Sequence, residues 1–337
     1  GHNEWNQSQV PDGLVGVTAI AATVSHSIAL KSGGVVSAWG FNGNGECDVP
    51  AEISGGYSAA ASSSEAHENV DHPASSGVTG ARIDVASGSD RGRAGRSPVV
   101  KIQAEGASAL ALTEDGTLVR WGARLGLGTL GLASGEDGIS DIPSGLGRVS
   151  DFAMGDFANL AVTYYGTVAA WGGRNHHGEM NVPVGLTDVK RVATAGVFGH
   201  CLALKNDGTV VAWGHEPNVP AGLTRIVEIS GGTDHCLALR DDGTVVAWGK
   251  NDEGQVDVPA GLSEVVAIEA SHKASYAVRR DGTVVTWGRQ GRDEILRLPV
   301  GLTDVVQISI ATGHCLALRS DGSVFGWGSN RCGELDL

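Results

Sequence analysis

One dipeptide recurs along this chain and sets its architecture. Trp-Gly occurs at Trp39, Trp121, Trp171, Trp213, Trp248, Trp287 and Trp327, seven of the eight tryptophans, at spacings of 82, 50, 42, 35, 39 and 40 residues. The same phrase surrounds each copy, clearest over residues 226–259: a short apolar run, a Gly-containing turn, His-Cys-Leu-Ala-Leu, Asp-Gly, then Thr-Val-Val-Ala-Trp-Gly. Repetition at this period is the mark of a repeat architecture, and it is read before anything else. The alternation within each phrase predicts strand, turn, strand, tight hairpin, strand and long loop. Asp115-Gly116, Asp207-Gly208, Asp242-Gly243, Asp281-Gly282 and Asp321-Gly322 sit between two apolar runs. A two-residue hairpin needs positive φ, which Asp tolerates and Gly adopts without steric cost. Ser32-Gly33-Gly34 and Tyr164-Tyr165-Gly166 are weaker versions of that turn in the first and third repeats.

A three-strand unit cannot bury both of its faces, so such units stack or close into a ring. Residues 1–11 align with 249–259, as though the chain begins just after a Trp, and residues 328–337 supply the same element again. The expected fold is therefore all-β: a seven-bladed β-propeller of three- to four-stranded blades, closed by the termini, with 1–337 as a single domain. Each Trp is expected to pack between neighbouring blades, where large aromatics dominate burial.

Gly-x-x-His-x-Leu-Ala-Leu, Asp-Gly-Thr-Val-Val-Ala-Trp-Gly and x-Asn-x-x-Gly-Gln resemble the RCC1-type repeat. The short period, with Val-Pro-Ala-Glu and Gly-Val-x-Ala-Ile-Ala-Ala, looks most like the bacterial branch typified by β-lactamase inhibitory protein II. The resemblance spans the chain except residues 54–98 and 123–140. It implies the propeller fold. For function it implies a family that contains nucleotide-exchange factors, enzyme inhibitors and photoreceptors, because one fold hosts many functions.

The pattern breaks twice. Residues 54–98 form a Ser/Ala/Gly-rich insert, read as a surface loop rather than a decayed eighth blade, and it carries Arg91, Arg93 and Arg96. Residues 123–140 replace a short loop with a Gly/Leu-rich one that is expected to flap over one rim.

Strand direction places the turns before each repeat His and the loops after each Trp-Gly on one rim, with the Asp-Gly hairpins opposite. Variation concentrates on the first rim, so function is expected there. Its candidate binding residues are Phe157, Phe198, Asp234, His272, Lys273, His176 and His177. The expected activity is that of a binding module, inhibitor- or adaptor-like, presenting this rim to a protein partner. The alternative is an enzyme acting on a small molecule at the channel mouth, with Asp234, His235, His272 and Lys273 as acid, base and cation. The reading favours no enzyme, and no nucleophile, phosphate or metal motif accompanies those four residues.

His26, His200, His235 and His314 share one repeat slot, and their recurrence suggests a structural bond to a turn carbonyl. Neither metal nor cofactor is expected. Cys201, Cys236 and Cys315 share the next slot as small buried hydrophobes, and a Cys47–Cys332 disulfide is left open. With 24 basic against 38 acidic residues the net charge is −14, which argues against nucleic acid and anionic membrane as partners. No apolar run nears the roughly 18 residues of a membrane helix. The expected molecule is a soluble monomer; no signal peptide is visible, a start at Gly1 is compatible with one having been removed, and the compartment is left open with a lean to secreted bacterial.

Overall fold

The computed structural model describes residues 7–23, 25–54, 97–122, 141–155, 158–172, 175–195, 199–215, 218–271, 273–288, 297–311 and 314–328. They form seven antiparallel three-stranded sheets, each built from consecutive strands. The first is β1 (Val17–Ala22), β2 (His26–Lys31) and β3 (Val35–Gly40); the second is β4 (Val99–Glu105), β5 (Ser108–Thr113) and β6 (Leu118–Gly122). The third is β7 (Val149–Ala153), β8 (Ala158–Thr163) and β9 (Val168–Gly172); the fourth is β10 (Val189–Ala195), β11 (His200–Lys205) and β12 (Val210–Gly214). The fifth is β13 (Ile226–Gly231), β14 (His235–Arg240) and β15 (Val245–Gly249); the sixth is β16 (Val265–Ser271), β17 (Ala274–Arg279) and β18 (Val284–Gly288). The seventh is β19 (Val305–Ile310), β20 (His314–Arg319) and β21 (Val324–Gly328). Each blade thus has three strands among the described residues, the lower of the two numbers expected. Residues 55–96 and 123–140 lie outside the described residues; Ile53 and Pro98, at the edges of the first insert, accept backbone bonds from Val36 and Glu114.

Neighbouring first strands lie side by side except β4 and β7, where β5 contacts β7, and β1 of the first sheet contacts β19 and β20 of the seventh. At each junction a Trp-containing apolar cluster fills the space between two sheets. Trp287, for example, packs with Leu237 and Leu239 of the preceding sheet, and Trp39 packs with Leu316 and Leu318 of the seventh. The tryptophans therefore act as inter-blade packing residues, as their strand position suggests. The indole N–H groups of Trp121, Trp213 and Trp287 also donate to the carbonyls of Glu46, Glu179 and Gln255, fixing the preceding blade's loop over the sheet. At the first sheet Gln7 takes the corresponding place, accepting from the Ser27 hydroxyl at 2.7 Å. Residues 1–6 and 329–337, which carry the expected contact between the termini, lie outside the described residues.

The hairpin glycines do more than turn the chain. The carbonyls of Gly116, Gly166, Gly208, Gly243, Gly282 and Gly322 accept from the first residue of the next sheet, Val149, Val189, Ile226, Val265, Val305 and Val17. So close an approach leaves little room for a side chain. A Cβ on Gly282, at φ 80°, would lie 2.6 Å from the Asp304 Cα.

The first strand of every sheet has a free edge, and unpaired backbone N–H groups are costly when buried. A register shift near the start of all seven first strands re-aims the third residue toward the next sheet. There Asp151 accepts from Val192 N–H at 2.9 Å and Gln307 from Ile20 N–H at 3.3 Å. Two residues further on, Gln103, Ser230 and Ser309 accept from Met154, Ala270 and Ala22. The edge is thus capped by side chains of the preceding blade.

Candidate functional site

The rim opposite the hairpins is assembled by backbone bonds. Phe41, His215 and Lys250, each just beyond a Trp-Gly, donate to Ser25, Gly199 and Asp234 in the turns before the repeat His. The loops and turns expected to share a rim do share one.

Beneath it the repeat histidines are structural, but not as expected. His235 Nε2 meets the Ser275 hydroxyl of the next blade at 2.9 Å, and His314 Nε2 meets Ser27 at 2.9 Å. Each hydroxyl also donates to a carbonyl, Ser275 to Gln255 at 2.8 Å and Ser27 to Gln7 at 2.7 Å. A hydroxyl has one proton, so with that proton given to the carbonyl it accepts from the ring. Both rings therefore carry the proton on Nε2, a donor aimed at Ser, the reverse of a base activating a nucleophile. The expected bond to a turn carbonyl is replaced by this bond to serine, and the reason is positional: the slot after His in the next blade is Ser in those two cases. In the other two cases the slot holds Ala109 or Cys236, neither of which offers a hydroxyl to His26 or His200. His26 instead lies 2.8 Å from the Thr23 hydroxyl through Nδ1. Burial pushes the His26 and His314 pKa values down to about 3, so both rings are neutral.

The polar sector of the fifth and sixth blades is brought together in part. Lys250 Nζ lies 3.5 Å from Asp234 and 3.9 Å from Asp252, and Lys273 lies 3.3 Å from Asp252 and 3.5 Å from Glu253. The result is a chain of alternating charges that straps two blades across the rim. The Gln255 amide and then Lys273 hold the Asp252 carboxyl below its usual range, and Asp252 in turn raises the Lys273 pKa. Asp234 and Lys273 thus share one network through Lys250 and Asp252, while His235 is buried below it on Ser275. Phe157, Phe198 and His272 lie outside the described residues.

His176 and His177 are exposed. The His177 ring meets His215 edge to face at 4.6 Å, and His215 meets His200 at 5.5 Å. Sequence reading missed this stack because it joins three separate segments, although the shortened loop that begins with His215 was a visible signal. Among the described residues no set of three or more His, Cys, Asp or Glu is arranged to hold a metal ion. Cys201, Cys236 and Cys315 are buried, and Cys47 is half-buried against the Gly40 and Phe41 carbonyls; burial pushes Cys236 up to about 12, and Cys47, with help from Glu46 and Asp48, also up to about 12. Both are protonated and unreactive; Cys332 lies outside the described residues.

A second polar system was also missed. On the third residue of successive first strands stand Lys101, Asp151, Arg191 and Glu228, alternating in charge from blade two to blade five. Lys101 Nζ lies 2.7 Å from Asp151, both buried, and 4.9 Å from the Phe152 ring centroid. Burial raises the Glu228 pKa to about 7, against the opposing pull of Arg191 and the Ile268 N–H. Four charged residues in an apolar strand slot were the available signal.

Residues 226–255 and 305–334 match the regulator of chromosome condensation (RCC1) repeat. These are RCC1-like repeats. The RCC1 domain-containing protein RUG3, mitochondrial, of Arabidopsis thaliana is 33% identical over 132 residues, which span 34% of this chain and 30% of that protein. Among solved structures, yeast RCC1 (Prp20) bound to Kap60 superposes with a TM-score of 0.59 at 19% identity, covering 87% of this chain and 78% of its own. The ectodomain of the receptor kinase CR4 of Physcomitrella patens gives a TM-score of 0.59 at 18% identity, over 94% and 74% of the two chains. At these identities the likeness is one of fold. Seven three-stranded sheets, with RCC1 propellers as structural neighbours, make the protein a seven-bladed β-propeller. No helix among the described residues is long and apolar enough to cross a membrane.

Proposed function

We propose that this RCC1-like propeller is a protein-binding module that presents the rim of His turns and post-Trp loops to a protein partner. One observation carries the reading. The hairpin-glycine bonds and indole-to-carbonyl bonds of the scaffold recur from blade to blade, whereas the rim holds a part-exposed charge network, Asp234–Lys250–Asp252–Lys273–Glu253, built from residues that differ between repeats. Rim charges of this kind steer and select partners. Phe157, Phe198, His272, His176 and His177 belong to the same proposed surface. Fold relatives lend support: Prp20 of Saccharomyces cerevisiae is described with binding to Gsp1p and histones, and yeast RCC1 with Kap60. An inhibitor- or adaptor-like role, as the resemblance to β-lactamase inhibitory protein II implies, would use this rim.

The test is cross-linking mass spectrometry on complexes of the purified chain, comparing wild type with Lys250→Glu/Lys273→Glu. The expected result is cross-links from rim lysines and loss of the complex in the variant, with unchanged melting temperature. A variant that keeps full affinity would remove the rim from the proposal.

A further inference from the structure

The hairpin at the foot of the third sheet departs from the rule that five of its counterparts obey. In five blades an Asp precedes the hairpin Gly and accepts from the backbone N–H two residues on: Thr117, Thr209, Thr244, Thr283 and Ser323 donate to Asp115, Asp207, Asp242, Asp281 and Asp321. The third blade has Tyr165 in that place. Its turn is held instead by the hydroxyls of Thr163 and Thr167, 2.8 Å apart. Tyr165 is 87% exposed and Tyr164 67% exposed.

The two rings meet edge to face at 5.8 Å, and the Arg148 guanidinium lies 5.3 Å from the Tyr164 centroid while its Nε donates to the Asp115 carbonyl. Val184 is fully exposed in the turn that leads into β10, whose first N–H bonds Gly166. The scaffold gains nothing from two aromatic rings held in water in place of a turn-forming Asn-Asp pair. Repeats break their own local rules where a surface has another use. Tyr and Arg are also the residues that dominate interface hot spots.

We propose that the Tyr164–Tyr165 hairpin is a docking surface for a cationic segment of a protein partner, with an arginine or lysine of that segment seated on the open face of Tyr165. Charge decides the class of partner. The flanking hairpins bring Glu114, Asp115 and Asp207 to this face, and Asp188 abuts Gly166. Of the described cations on this side, Arg148 is engaged by Tyr164 and Asp115, and Lys205 lies 3.9 Å from Asp207. With a chain charge of −14, what is missing at the tyrosines is a positive group. This surface lies on the face opposite the rim proposed above and stands independently of it.

The experiment uses a fluorescent peptide of alternating Arg and Ala, with a Glu-Ala peptide as control, titrated at low ionic strength. Tyr164→Asn/Tyr165→Asp rebuilds the Asn206-Asp207-Gly208 turn of the next blade, so the fold is kept and the melting temperature holds or rises. Expected is selective binding of the Arg peptide, weakened about ten-fold in that variant although it adds a negative charge, and retained in Tyr165→Phe. Val300→Ser, in the seventh blade's counterpart of the Val184 turn, leaves it unchanged. Equal affinity of wild type and the double variant, or equal binding of the Glu peptide, overturns the proposal. So does a concentration-dependent dimer that the double variant abolishes without any peptide binding, which would assign the hairpin to a second copy of this chain.

Discussion

Two parts of the ring solve one problem with different chemistry. Between the second and fourth blades the free edge is closed by ions: Lys101 and Asp151 pair at 2.7 Å, and the second Asp151 oxygen takes the Val192 N–H. Between the seventh blade and the first it is closed by neutral groups. Gln307 both accepts from and donates to Ile20, and Ser309 takes the Ala22 N–H. A third junction, between the sixth and seventh blades, has Ala267 in that slot and a water-sized cavity beside it, lined by Glu269, Tyr276 and Ile308. The first strand carries the same register shift in all three, so the slot tolerates any side chain that satisfies or avoids the edge. What differs is the penalty for disturbing it: a buried ion left alone is far costlier than a neutral polar group left alone.

That ordering can be broken experimentally. Lys101→Ala should have the largest effect, a loss of about 3–5 kcal/mol in chemical denaturation, because it strands the buried Asp151 carboxylate. Gln307→Ala should cost about 2–3 kcal/mol by orphaning both backbone groups of Ile20. Equal losses in the two would erase the distinction between the junctions. Glu228→Gln should stabilise by about 1–2 kcal/mol at pH 8 and change little near pH 4.5. The sign follows from its pKa, which rises to about 7 in the fold: the folded state favours the protonated acid, and that stability is lost as pH climbs through 7. On the acid side His26 and His314, lowered to about 3, favour the neutral ring, so stability falls as pH drops below about 6.5. Melting curves across pH should show Glu228→Gln lifting only the alkaline limb. The smallest effect is expected of Ala267→Gln, a gain of about 0.5–1 kcal/mol if the amide reaches the Ile308 N–H as Gln307 reaches Ile20. A loss would show that the cavity cannot accept it.

The fold was largely legible because its signals are local and repeated. An Asp-Gly pair between two apolar runs specifies a hairpin wherever it stands, and Trp on an alternating strand specifies an inward side chain. The candidate site was legible only in outline. Asp234 and Lys273 could be placed on one rim, but not the Lys250 and Asp252 that join them. His177 meets His215 and His215 meets His200, a stack across three segments that no single segment announces. The histidine slot was read as structural from its recurrence, yet its partner lay in the following blade, and only the coincidence of His235 with Ser275 and His314 with Ser27 could have revealed it.

The amino-acid sequence by itself determined the unit: three strands, a glycine hairpin, a buried tryptophan, and seven copies of them. It could do so because hydrogen bonding within a hairpin and period-two burial act over a few residues. Only the tertiary structure decided what each third position on a first strand does, whether ion pair, amide bridge or cavity. Those groups meet partners 41 or 50 residues away, or 287 in the case of Gln307 and Ile20, and the energy of a buried charge depends on the partner rather than on the residue that carries it.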